Sequence, residues 1–229
     1  MSDLYAVARR QPKLSGENGE ISLWANRAGS QVFVPENQQL IAAGYGYHVT
    51  VGALTTPITG GGAGTILDTT EPELAISVPS GTAIRPVRFH VQCEVPADQD
   101  GDVQEAVIIV DRTAALTSGG TSTTEVAFNM RTDNPFSTNC AVYSAVTVDI
   151  APAMTQSFEL CRKQMVTNIV PSGITHGYFD MLYEPKYAPI LVGPCAIFVL
   201  FGGTQAMAGF IQAEWVEMPA SLNALFGGS

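Results

Sequence analysis

Apolar and polar residues alternate along most of this chain with a period of two, the spacing of a strand that buries one face. The clearest run sets Val87, Phe89, Val91, Cys93 and Val95 against Arg88, His90, Gln92 and Glu94. A helix would scatter both sets around its circumference, so the run predicts a half-buried strand of an antiparallel sheet. Tyr45, Tyr47, Val49 and Val51 repeat the pattern, as do Leu74, Ile76 and Val78, then Val126, Phe128 and Met130, then the run Val142 to Ile150, with Val146, Val148 and Ile150 against Thr147 and Asp149. Further strands are expected at Ile21 to Trp24, Gln31 to Val34, Phe158 to Leu160, Tyr178 to Tyr183, Cys195 to Phe201 and Phe210 to Val216. Val103 to Val110 is β-branched and apolar on both faces, as a central strand should be.

Turn chemistry separates these runs: Gly60 to Gly64, Pro79-Ser80-Gly81, Asp98 to Asp102, Ser118-Gly119-Gly120, Asp133-Asn134-Pro135, Pro171-Ser172-Gly173 and Gly202-Gly203. Roughly nine or ten short strands with mixed loops predict an all-β, antiparallel β-sandwich, jelly-roll-like in architecture. Helix is expected only in an N-terminal arm, around Ala151 to Val166, and at the C-terminus. Pro152 to Cys161 fits either state, because Met154, Phe158 and Cys161 also share a helical spacing. The expected organisation is an arm over 1–18, one sandwich domain over 19–217 and a tail over 218–229. No internal repeat divides the sandwich.

Composition narrows the classes. The 229 residues are 46% hydrophobic and only 14% charged, against a usual charged share of about 25%. Thr, Ser, Asn and Gln supply the polarity instead, which excludes coiled coils and charge-driven disorder. The net charge is −10, the wrong sign for a binder of phosphate backbones, so no nucleic-acid partner is expected. The cations Arg9, Arg10 and Lys13 gather near the start, opposed there only by Asp3. The N-terminal residues do not read as a signal peptide, because their charges follow the apolar stretch. The apolar stretch Ala188 to Phe201 is broken by Pro189, Gly193 and Pro194, so no membrane span is expected. A soluble product made in the cytoplasm fits.

Candidate chemistry is thin, and neither an enzymatic activity nor a cofactor is expected. Cys93, Cys140, Cys161 and Cys195 contain no CxxC pair and read as buried thiols. Gly60 to Gly64 lacks the lysine of a phosphate-binding loop. Asp98, Asp100, Asp102 and Glu105 crowd four carboxylates into eight residues. Their glycine and glutamate spacing does not match a helix-flanked calcium loop, so a solvated hairpin turn is the plain reading and an improvised calcium site the alternative. No GxSxG occurs, His48 and His90 fall on polar strand positions, and His176 sits in a turn. Glu184, Glu214 and Glu217 lie near aromatics without forming a recognisable acid pair. Trp215 and Trp24, with Tyr178 and Tyr183, could form a sugar-stacking platform instead.

The two ends say more. Leu4, Tyr5 and Val7 in the arm, and Leu222, Leu225 and Phe226 in the tail, are apolar residues that a sandwich does not need for its own sheets. With Arg9, Arg10 and Lys13 they are the candidate partner-binding residues. Together with the lysine-poor, Thr/Ala/Gly-rich strands and loops such as Ala114 to Thr123, these ends give the chain its character. In that character it resembles bacteriophage virion structural proteins, and most of all jelly-roll head decoration (cement) proteins. The resemblance implies a homotrimer on the capsid exterior, bound to a major capsid protein and holding neighbouring capsomers together. Two alternatives stand beside it: a jelly-roll major coat protein that builds the shell, and a carbohydrate-binding sandwich of a tail fibre. The −10 charge and the missing basic segment speak against the coat protein.

Overall fold

A computed structural model describes residues 35–60, 67–68, 71–95, 102–112, 122–134, 136–146, 157–166 and 177–218. The chain divides into two compact units, Met1–Gln39 and Leu40–Ser229. The division falls within a short helix, α1 (Glu36–Ala42), that the sequence reading did not expect. Pro35 and Glu36 are ordinary residues for a helix start, and the Gln39 N–H donates to the Pro35 carbonyl at 3.1 Å.

The larger unit consists of β1 (Gly46–Val51), β2 (Ile58–Thr59), β3 (Leu74–Val78), β4 (Ala83–Val95), β5 (Val103–Asp111), β6 (Thr123–Thr124), β7 (Phe128–Asn129), β8 (Ala141–Ser144), β9 (Ser157–Val166), β10 (Gly177–Tyr183), β11 (Leu191–Val192), β12 (Cys195–Gly203) and β13 (Ala208–Met218). They form two packed antiparallel sheets, an all-β sandwich. One sheet runs β10-β4-β13-β1-β7, with β11 on β4 and β2 on β13; the other runs β6-β8-β3-β12-β5-β9. The pairs β1–β13, β3–β12, β4–β10 and β5–β9 are nested and antiparallel. That nesting is the strand order of a jelly roll, a long antiparallel ribbon rolled into two facing sheets.

Between the sheets lies one core. Phe89, Val91, Phe179, Met181, Ile211 and Trp215 come from the first sheet, and Leu74, Ile76, Ile108, Ile197 and Phe201 from the second. The second sheet is apolar on its other face too, where Ala75, Val107, Ile109, Ala196, Phe198 and Leu200 form a second cluster with Val146. This is why β5 and β12 read as continuous apolar runs: both of their faces are removed from water. Buried Glu73 tethers β12 from the start of β3: its carboxylate accepts the Phe201 N–H at 2.8 Å.

Several expectations need correction. Residues 157–166, where a strand at Phe158 to Leu160 and a helix around Ala151 to Val166 were both expected, form β9, because pairing with β5 along its whole length outweighs a weak helical spacing. Val87 is half-buried and not part of the core face. Pairing jumps from Glu214↔Arg88 to Trp215↔Pro86, which leaves Val87 in a bulge. Pro86 explains the site, since it has no N–H to give to a ladder. The expected strands at 21–24 and 31–34, the arm over 1–18 and the tail beyond Met218 lie outside the described residues.

Candidate functional site

The partner-binding residues expected from the sequence, Leu4, Tyr5, Val7, Arg9, Arg10, Lys13, Leu222, Leu225 and Phe226, lie outside the described residues, as do Trp24, His176, Asp98 and Asp100. The remaining candidates are placed. Trp215 is fully buried and stacks on Tyr47 at 6.1 Å between centroids, and buried Tyr183 meets Phe89 edge-on at 6.3 Å. Neither can serve a sugar-stacking platform, because both rings belong to the core. Glu105 and Asp102 are buried, and Glu105 is paired with Arg162 rather than open to a cation. Among the described residues no cluster of His, Cys, Asp and Glu is arranged to hold a metal ion. Glu184 is exposed, Glu214 meets Arg88 at 3.5 Å, and buried Glu217 accepts from Thr138 and from the backbone and side-chain nitrogens of Asn139.

The four thiols are free, with Cys93, Cys140 and Cys195 buried and Cys161 half-buried. Burial pushes the Cys195 thiol up to about 11 and those of Cys93 and Cys140 further still. Such groups do not act as nucleophiles near neutral pH.

What the structure does assemble is the solvent face of the first sheet. Its register sets side chains in rows: Tyr178, Glu94 and Ala208; Asp180, Gln92 and Phe210; Leu182, His90, Gln212 and Thr50; Arg88, Glu214, His48 and Phe128. At the β10 side the polar groups are tied to one another. His90 Nε2 lies 2.5 Å from Asp180 Oδ1, the Gln92 amide donates to the Tyr178 hydroxyl at 2.6 Å, and Lys163 of β9 donates to the Asp180 carbonyl. Hydrogen bonding to His90 is the main cause that holds the Asp180 carboxyl below its ordinary value. Beside this network a cavity of about 450 Å³ is lined by Pro57, Gln92, Cys93, Glu94, Tyr178, Ala208, Gly209 and Phe210. Gly209 is required at its base, since a Cβ there would come within 2.2 Å of the Gln92 carbonyl oxygen.

The β7 side is apolar. Val126 and Phe128 are each 66% exposed and Phe136 is 67% exposed, while Ala127 between the first two lies against the core. The alternation read from the sequence is real, but its phase is inverted: the small residue faces in and the large ones face out. This edge is braced. Asn129 and Asn134 donate to the Gly44 carbonyl at 2.7 and 3.2 Å, and Arg131 joins Asp133 at 2.7 and 3.0 Å while also donating to the Ala42 carbonyl at 3.1 Å. Gly44 has a φ of +89°, which strains any L side chain, and a Cβ there would fall 1.7 Å from Asn134 Nδ2 and push that amide away. In sequence the signal for this edge is Asn129 and Asn134 lying between Phe128 and Phe136, but only the fold reveals which face Phe128 takes.

The solvent face of the first sheet thus presents donors and acceptors at one side and exposed rings at the other. No known protein family, curated protein or solved structure matches this chain.

Proposed function

We propose that this chain is a structural protein that works by binding other subunits, and that it is a capsid decoration (cement) protein of a virion. The observation that carries the reading is the inverted phase at β7. A segment that turns the small Ala127 toward the core and leaves Val126 and Phe128 exposed as it enters β7 is poorly explained by its own fold and well explained by a partner that covers it. Phe136 is exposed nearby, its carbonyl accepting from the Asn129 amide at 3.4 Å, and the Arg131–Asp133 pair supplies charge beside the rings, the usual make-up of a protein interface. Covering each two-thirds-exposed phenylalanine is worth about 1–2 kcal/mol, repeated at every position of a lattice. The jelly-roll strand order supports this reading by architecture alone, since capsid and lectin domains both use it. The net charge of −10 suits a surface turned away from the genome.

Static light scattering on the full chain tests the proposal. The expected result is a homo-oligomer, a trimer by the resemblance, that the double substitution Phe128→Ser and Phe136→Ser reduces to monomer without lowering the unfolding midpoint. Shell-sized particles would replace decoration with the coat-protein reading. A wild type that stays monomeric at every concentration, or an oligomer indifferent to both substitutions, would remove the β7 edge as an assembly surface.

A further inference from the structure

We infer that the cavity at the β10 side of the first sheet is a binding site for a neutral saccharide of one or two rings. It lies at the opposite end of the sheet from the β7 edge, so it stands or falls independently of the assembly reading. Four separate stretches of chain meet there: Pro57 before β2, Gln92 and Glu94 of β4, Tyr178 of β10, and Ala208 and Phe210 of β13. Its volume of about 450 Å³ lies within the range of small-molecule sites.

The lining selects the ligand. Tyr178 is 61% exposed, yet the Gln92 amide fixes its hydroxyl at 2.6 Å, so the ring is held in place with its face open to solvent. A positioned aromatic ring offers the C–H face of a pyranose an apolar partner at little entropic cost. Phe210 and Pro57 add apolar walls, and Ala208, in the row of Tyr178 and Glu94, leaves the space between them empty where a larger residue would fill it. The amide of Gln92 and the carboxylate of Glu94 stand at the rim, where sugar hydroxyls need donors and acceptors. Among the described residues no cation lines the cavity, which disfavours phosphate, sulfate or acidic sugars. A single ring is no cage, which disfavours a quaternary ammonium ligand. Apolar faces with an amide, a hydroxyl and a carboxylate at their edges and no cation among the described lining residues describe a neutral sugar.

The test is a titration of the ¹⁵N-labelled full chain with cellobiose, maltose, chitobiose and lactose, with choline and inorganic phosphate as controls, followed by amide shifts. At least one disaccharide should saturate in the millimolar range, with shifts confined to the cavity. Tyr178→Ala should weaken that binding about tenfold, while Tyr178→Phe, which keeps the ring, should retain most of it. Because Tyr178 lies on the solvent face, both variants should keep the wild-type spectrum elsewhere, which separates lost binding from lost fold. Failure of all four sugars overturns the inference. So does saturation by choline or phosphate at the same residues, or a Tyr178→Phe variant as weak as Tyr178→Ala.

Discussion

Gln104 is fully buried, and neither its amide nitrogen nor its amide oxygen meets a hydrogen-bond partner among the described residues. It sits on β5 between Gly203 of β12 and Met165 of β9, and by alternation it shares the inward face of Ala106 and Ile108. Two polar atoms have therefore lost water and gained nothing in return. Mutational data place the cost of such a group at about 1–3 kcal/mol. Gln104→Met keeps the length and nearly the volume of the side chain and removes both polar atoms, so most of that cost should be recovered. For a chain of this size each kcal/mol raises the thermal midpoint by about 2–4 °C. Urea unfolding followed by tryptophan fluorescence, with the slope unchanged, measures the gain directly. An unchanged or lowered midpoint would refute the reasoning, because it would mean that the amide is satisfied in solution and that the site wants polarity.

Two further outcomes are expected. Under native conditions a thiol reagent such as DTNB should react first, if at all, with Cys161, the half-buried thiol, and should reach Cys93, Cys140 and Cys195 only on unfolding; rapid modification of four thiols in the folded protein would contradict the burial of the other three. Asp180 is held below its ordinary value in the folded state, so its bond to His90 contributes fully above about pH 4 and is lost as pH falls through the lower folded value. Because its side chain is 41% exposed, Asp180→Asn should cost less than about 1 kcal/mol at neutral pH. The gap between wild-type and variant urea midpoints should close in acid; a gap that widens in acid would reverse the sign of the linkage.

Much of the frame was legible in the chain itself. Period two is a local property, so the inward positions Phe89, Val91 and Cys93, and the doubly apolar run at 103–110, could be read without any partner strand. The absence of long helical periods was equally local, and the all-β sandwich follows from it. The misread segments are those where a pairing overrides a local preference. Cys161 and Met165 in β9 take their state from β5, and Val87 leaves the core because Pro86 breaks a ladder whose other side lies more than a hundred residues away.

Strand order, the phase of Val126 and Phe128, and the meeting of Pro57, Gln92, Tyr178 and Phe210 around one cavity were decided only by the tertiary structure. The reason is physical. Alternation specifies that one face of a strand is buried, but which face and against which neighbour depend on the register of hydrogen bonds between distant segments, and a shift of one residue exchanges the faces. Composition, turn chemistry and periodicity determined what kind of object this chain makes; long-range register determined which of its side chains are left in water to meet something else.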